Sequence, residues 1–157
     1  MYKITDEAIN LIKSWEGLFL TAYQGKADKP GIHTIGYGTI QYPPHYLRGK
    51  RVKLGDPVIT EEQAFEFLKY EVLKKADAID VLLRDDLTAN QFGALLSFSY
   101  NVGEGALKMS KLRAKVNKDP NDPAIRAEFM RWKFANGVQV KGLINRRKSE
   151  ADLYFKK

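Results

Sequence analysis

Thr34-Ile35-Gly36-Tyr37-Gly38-Thr39-Ile40 is the stretch that decides the fold class. Its β-branched residues suit a strand, and glycine within a strand marks close approach of backbone or ligand. The surrounding segment, 25–55, is punctuated by Gly25, Pro30, Gly31, Pro43, Pro44, Gly49 and Gly55. Short apolar pieces between such breakers predict a small twisted antiparallel sheet with turns.

Outward from this segment the periodicity is helical. Upstream, Thr5 is a good N-cap, followed by the acidic first turn of Asp6 and Glu7. Ala8, Leu11, Ile12 and Trp15 then recur on one helix face, and Gly17 supplies the stop. Downstream, Thr60-Glu61-Glu62-Gln63 is a capping box that opens a long helix over about 60–80. Phe65, Leu68, Val72, Ala76 and Ile79 form its apolar face. Thr88-Ala89-Asn90-Gln91 is a second capping box, opening an apolar helix with Phe92, Leu95, Leu96, Phe98 and Tyr100 that Gly103 and Gly105 end. A short basic helix is expected over 106–117, and Asp122-Pro123 reads as a helix start. Asn136-Gly137 reads as a turn, and a last helix is expected from about Leu143 to Tyr154. The resulting class is α+β in one catalytic domain. It comprises a first lobe over about 1–59, a connecting helix over about 60–80 and a helical C-lobe over about 81–157.

Composition narrows the chemistry. The 157 residues include no cysteine and only two histidines, so cysteine zinc sites and thiol nucleophiles are excluded and a metal centre is not expected. A hydrophobic share of 44% fits a folded domain. No stretch approaches the roughly 18 apolar residues of a membrane span. The N-terminal residues lack a signal-peptide core, which reads as synthesis in a cytoplasm. The net charge is +7, divided as +3 over 1–60, −3 over 61–80 and +7 over 81–157. That excess points to a polyanionic partner: nucleic acid, a membrane surface or an anionic wall polymer.

No phosphate-binding glycine loop or serine elbow is present, which leaves carboxylates as the chemistry. Glu16 ends an apolar helix, and Asp28 sits in the loop before the glycine-rich strand. Two carboxylates across a cleft are what glycoside hydrolysis requires.

The order Trp15-Glu16-Gly17-Leu18, Ala22-Tyr23 and Thr34-Ile35-Gly36-Tyr37-Gly38 resembles the signature of phage-type lysozymes (endolysins) of glycoside hydrolase family 24. The resemblance continues through Asp56-Pro57-Val58-Ile59-Thr60-Glu61-Glu62-Gln63-Ala64 and Leu87-Thr88-Ala89-Asn90-Gln91-Phe92-Gly93-Ala94-Leu95. It extends to Ser97-Phe98-Ser99-Tyr100-Asn101-Val102-Gly103 and Gly142-Leu143-Ile144-Asn145-Arg146-Arg147-Lys148-Ser149-Glu150.

The resemblance implies a two-lobed lysozyme fold and cleavage of the β-1,4 bond between N-acetylmuramic acid and N-acetylglucosamine. It implies neither cofactor nor metal. It assigns Glu16 as general acid and Thr34 as the residue that positions water. The family aspartate matches Asp28, six residues before Thr34; nine residues after Glu16, where ungapped members place it, stands Gly25. A three-residue insertion before Asp28 reconciles the two counts.

Tyr37, Gly38, Tyr100 and Asn101 are the implied substrate-binding residues, although Tyr37 also reads as sheet packing and Tyr100 and Asn101 as a helix end. Arg146 and Arg147 read as surface charges, whereas the family brings a C-terminal arginine near the catalytic glutamate. The segment Pro43-Pro44-His45-Tyr46-Leu47-Arg48-Gly49 is longer than in compact members and extends the rim.

The implied partners are a peptidoglycan strand and an anionic cell envelope, with no nucleic acid. The chain is expected to be a monomer, made in a host cytoplasm and passed to the periplasmic wall through a holin-type pore. A lytic transglycosylase, or a non-catalytic basic wall-binding module, is the alternative.

Overall fold

The computed structural model describes residues 2–25 and 29–157. The chain divides into two compact units, 13–74, and 1–12 together with 75–157. The first twelve residues therefore group with the C-terminal part and not with the sheet.

The smaller unit takes in the end of helix α1 (Asp6–Trp15), strands β1 (Phe19–Tyr23) and β2 (Thr34–Gly36), and most of α2 (Glu61–Asp80). β1 and β2 pair antiparallel, with Phe19 opposite Gly36 and Tyr23 opposite Thr34. The sheet thus begins before residue 25, ahead of the glycine-punctuated segment that predicts it. β2 turns back on itself, because Ile35 and Thr39 exchange both backbone hydrogen bonds at 2.9 Å. The three residues between them include Gly36 (φ 64) and Gly38 (φ 87), left-handed positions that a side chain resists.

The Thr60 capping box forms as expected. Gln63 N–H donates to Thr60 Oγ1 at 3.1 Å, and Thr60 N–H donates to Gln63 Oε1 at 3.0 Å. Over 61–74 of α2 the core face is Ala64, Phe67, Leu68 and Val72. Phe65 is not on it. Its half-buried ring lies under the ammonium groups of Lys13 and Lys69, at 5.1 and 5.0 Å. Such a ring packs its edge and presents its face to cations, and periodicity alone does not separate it from the buried Phe67.

The larger unit is helical. α3 (Ala89–Val102) is buried along most of its length, packs against α7 (Lys141–Tyr154), and opens with the expected Thr88–Gln91 capping box. Gly103 (φ 96) caps it, but Gly105 does not end it; Gly105 lies inside α4 (Glu104–Met109). The basic helix expected over 106–117 is two helices, α4 and α5 (Lys111–Lys118). Ser110 divides them: its hydroxyl donates to the Leu107 carbonyl at 2.7 Å and accepts from Arg113 N–H at 3.0 Å. A serine that closes one helix and caps the next makes a break that neither Gly nor Pro announces.

Asp122 also differs from expectation. α6 (Ile125–Met130) starts later, and Asp122 Oδ1 accepts from Ala124 N–H at 2.8 Å in a turn before it. The Asn136-Gly137 turn joins a second two-stranded sheet, β3 (Phe134–Ala135) and β4 (Val138–Gln139). No helix among the described residues is long and apolar enough to cross a membrane.

Candidate active site

Glu16 sits where α1 gives way to β1. Its N–H closes a last turn onto the Lys13 carbonyl at 3.2 Å, and Gly17 follows. The half-buried side chain runs to the β2 hairpin, where a Cβ built on Gly38 would lie 3.0 Å from Glu16 Oε2. Gly38 thus serves two needs: a left-handed backbone, and room for a carboxylate against the main chain. Gly36 answers a different one. A Cβ there would lie 3.2 Å from Ala64 Cβ, so it lets the hairpin pack on α2.

Thr34 starts β2 on the same hairpin and is 7% exposed. Tyr37, at the hairpin tip, is buried; its hydroxyl donates to Glu61 Oε1 at 3.4 Å and Lys13 Nζ lies 5.3 Å from its ring centre. In this arrangement Tyr37 packs the hairpin. Asp28 lies outside the described residues. Within 13–74 the fold therefore brings Glu16, Thr34 and Gly38 onto one short hairpin and the helix end beside it. Among the described residues no cluster of His, Asp and Glu could hold a metal ion.

Tyr100 and Asn101 end α3 in the other unit. The Lys75 ammonium lies 5.7 Å from the Tyr100 ring centre, and Asn101 Oδ1 accepts from Arg147 Nη2 at 3.0 Å. Arg146 and Arg147 are not surface charges: they are 5% and 0% exposed. Both face the fully buried Glu150 of α7. Arg146 Nε donates to Glu150 Oε1 at 3.2 Å, Arg147 Nη2 donates to the same oxygen at 3.0 Å, and Ser97 Oγ donates to it at 2.8 Å. The Arg147 guanidinium also lies 5.0 Å from the Phe98 ring centre. Burial pushes the Glu150 carboxyl above its ordinary range, against the pull of both guanidinium groups. The cluster is missed by a reading that leaves each arginine on the surface by base rate. Its available signal is the spacing of Arg146 and Arg147 from Glu150, four and three residues apart on one helix.

A unit with a helix-borne carboxylate lodged on a glycine hairpin, and a second, helical unit built round an apolar central helix, are the α+β parts of lysozyme-like proteins. The phage lysozyme family model matches residues 13–150, and the chain belongs to that family. Similar proteins include the endolysin of Bacillus phage B103, 39% identical over 152 residues, which covers 97% of this chain and 54% of that protein. The endolysin of Bacillus phage PZA is 41% identical over 152 residues, covering 97% of this chain and 55% of that one. The chain spans about half the length of these curated relatives it matches. Among solved structures, an endolysin from Escherichia coli O157:H7 phage FAHEc1 superposes with a TM-score of 0.82 at 36% identity. That match covers 98% of this chain and 94% of the other.

Proposed function

We propose that the chain is a lysozyme that hydrolyses the β-1,4 bond between N-acetylmuramic acid and N-acetylglucosamine in peptidoglycan. The observation that carries this reading is the seat of Glu16, a half-buried carboxylate held against the Gly38 main chain with Thr34 on the same hairpin. Protonated Glu16 donates its proton to the glycosidic oxygen as the bond to the anomeric carbon breaks. Water attacks that carbon from the opposite face, losing its proton to the Asp28 carboxylate while the Thr34 hydroxyl orients it. Inversion of this kind calls for carboxylates about 6.5–9.5 Å apart. As general acid, Glu16 must carry its proton when the glycan binds. The backbone at Gly38 lines the sugar site.

The enzyme acts as a monomer without cofactor or metal. It lyses the host from within, on a wall reached through a holin-type pore, and its basic residues attract the anionic envelope.

Glu16→Gln tests the assignment, because it removes the proton and keeps the shape. Clearing of a cell-wall suspension should fall by about 100-fold or more, with an unchanged melting temperature. Wild-type-like clearing by the variant would refute the role of Glu16. Mass spectrometry of the digest decides the reaction: reducing muramic ends mark hydrolysis, and 1,6-anhydro ends mark a transglycosylase. A chain that binds wall with salt-sensitive affinity and clears nothing is the non-catalytic module.

A further inference from the structure

The long rim segment, 43–49, is a built structure. Tyr42 and Tyr46 pack their rings on Phe67 of α2, with centroids 5.7 and 5.0 Å away. His45 Nε2 lies 2.6 Å from Glu66 Oε1, and Gln41 Nε2 donates to the Gly49 carbonyl at 2.9 Å. Burial and the neighbouring Asp56 raise the Tyr42 hydroxyl well above its ordinary range, so it stays a donor to Asp56.

Within this frame three successive residues take left-handed backbone: Leu47 (φ 45), Arg48 (φ 56) and Gly49 (φ 67). Only the glycine does so without cost. Strain held in place by surrounding packing marks positions kept for a purpose other than stability. What the turn achieves is to bring Arg48 to a pocket of about 250 Å³ whose far wall is Tyr70, Glu71 and Lys74 of α2. Among the described residues, neither Arg48 nor Lys74 has an ion-pair partner, and Glu71 is the one carboxylate lining the pocket, so that lining is net positive.

A guanidinium fork and an ammonium group facing one cavity match the oxygens of a phosphate. A carboxylate beside them repels a bare phosphate and accepts a hydrogen bond from a hydroxyl. We propose that this pocket binds a small polyol phosphate ester: Arg48 and Lys74 hold the phosphate, and Glu71 accepts from the neighbouring hydroxyl. Such units repeat along polyol-phosphate polymers of cell envelopes. A concave, polar-lined pocket suits a free unit of such a polymer better than a headgroup packed in a membrane plane.

The test is a titration of the whole chain with glycerol 3-phosphate, poly(glycerol phosphate), inorganic phosphate and glycerol, followed by amide chemical shifts. Saturable shifts confined to 41–49 and 70–74 are expected with the two esters, inorganic phosphate binding about tenfold more weakly and glycerol not at all. Lys74→Gln and Arg48→Gly should each weaken ester binding about tenfold or more. Arg48→Gly also removes strain, so it should melt no lower than wild type, which separates lost binding from lost fold. Three results overturn the proposal: no saturable shifts at these residues, ester affinity unchanged in both variants, or inorganic phosphate binding as tightly as the ester. Binding to phosphatidylglycerol vesicles without any response to soluble glycerol 3-phosphate also overturns it. The titration reads binding alone, so its outcome is independent of the lysis assay.

Discussion

At the scale of single residues, glycine at 38 is a requirement of Glu16 as much as of the turn. A methyl group there meets the Glu16 carboxylate at 3.0 Å and must adopt φ near 87. Gly38→Ala should cost about 1–2 kcal/mol of stability through the left-handed backbone. It should cost wall clearing far more, because the carboxylate must swing off the hairpin. Paired thermal melts and turbidity traces check this; equal losses in both would reduce Gly38 to a turn residue. Asp122 makes a prediction in pH. The Ala124 N–H holds its carboxyl below the ordinary range. A depressed folded value means the stabilisation is present above 3.8 and fades as the pH falls below it. Asp122→Ala should therefore lower the melting temperature at neutral pH, and the gap to wild type should close in acid. A gap independent of pH would show that the side chain acts by packing alone.

Among the elements, α1 and α3 approach at Ala8 and Gly93, where an added methyl group would sit 2.7 Å from Ala8 Cβ. Gly93→Ala gains helix propensity of up to about 1 kcal/mol, yet overpacking costs about 1–3 kcal/mol. Net destabilisation in urea is expected, relieved by adding Ala8→Gly. Non-additivity of the pair is the signature, since only residues in contact couple. That approach is invisible in sequence because the partners stand 85 positions apart. What was legible depends on range. The capping boxes at Thr60 and Thr88 lie within four residues each, so both elements start where the pattern says. The break at Ser110 is not legible, because a serine hydroxyl serves as cap or bystander according to which backbone groups lie near it. Glu16 and Thr34 are readable from the motif. The Gly38–Glu16 contact and the burial of Arg147 against Glu150 and Asn101 depend on separate segments meeting in space.

For the molecule as a whole, the charge of +7 gains meaning from which cations are already engaged. Arg146 and Arg147 are buried with Glu150, Arg84 pairs with Asp86, and Arg126 pairs with Asp152 at 2.7 Å. Lys108, Lys111 and Lys148 are exposed, and among the described residues no hydrogen bond or ion pair engages their ammonium groups. Leu107, Leu112 and Val116 beneath α4 and α5 are buried, so the apolar side of that basic stretch faces its own core. The remaining lysines form a solvated field, not a membrane-inserting stripe. A field of this kind attracts an anionic envelope over a distance of about 10 Å at 0.1 M salt. It alters arrival rather than chemistry. Raising the ionic strength from about 0.05 to 0.5 M shortens that range severalfold. Clearing of intact wall should therefore slow more than turnover of a short soluble oligosaccharide of alternating N-acetylmuramic acid and N-acetylglucosamine. Replacing Lys108, Lys111 and Lys148 together by Gln should flatten the salt dependence on wall and leave the soluble reaction unchanged. Equal salt sensitivity on both substrates would place the effect at the proposed catalytic carboxylates instead.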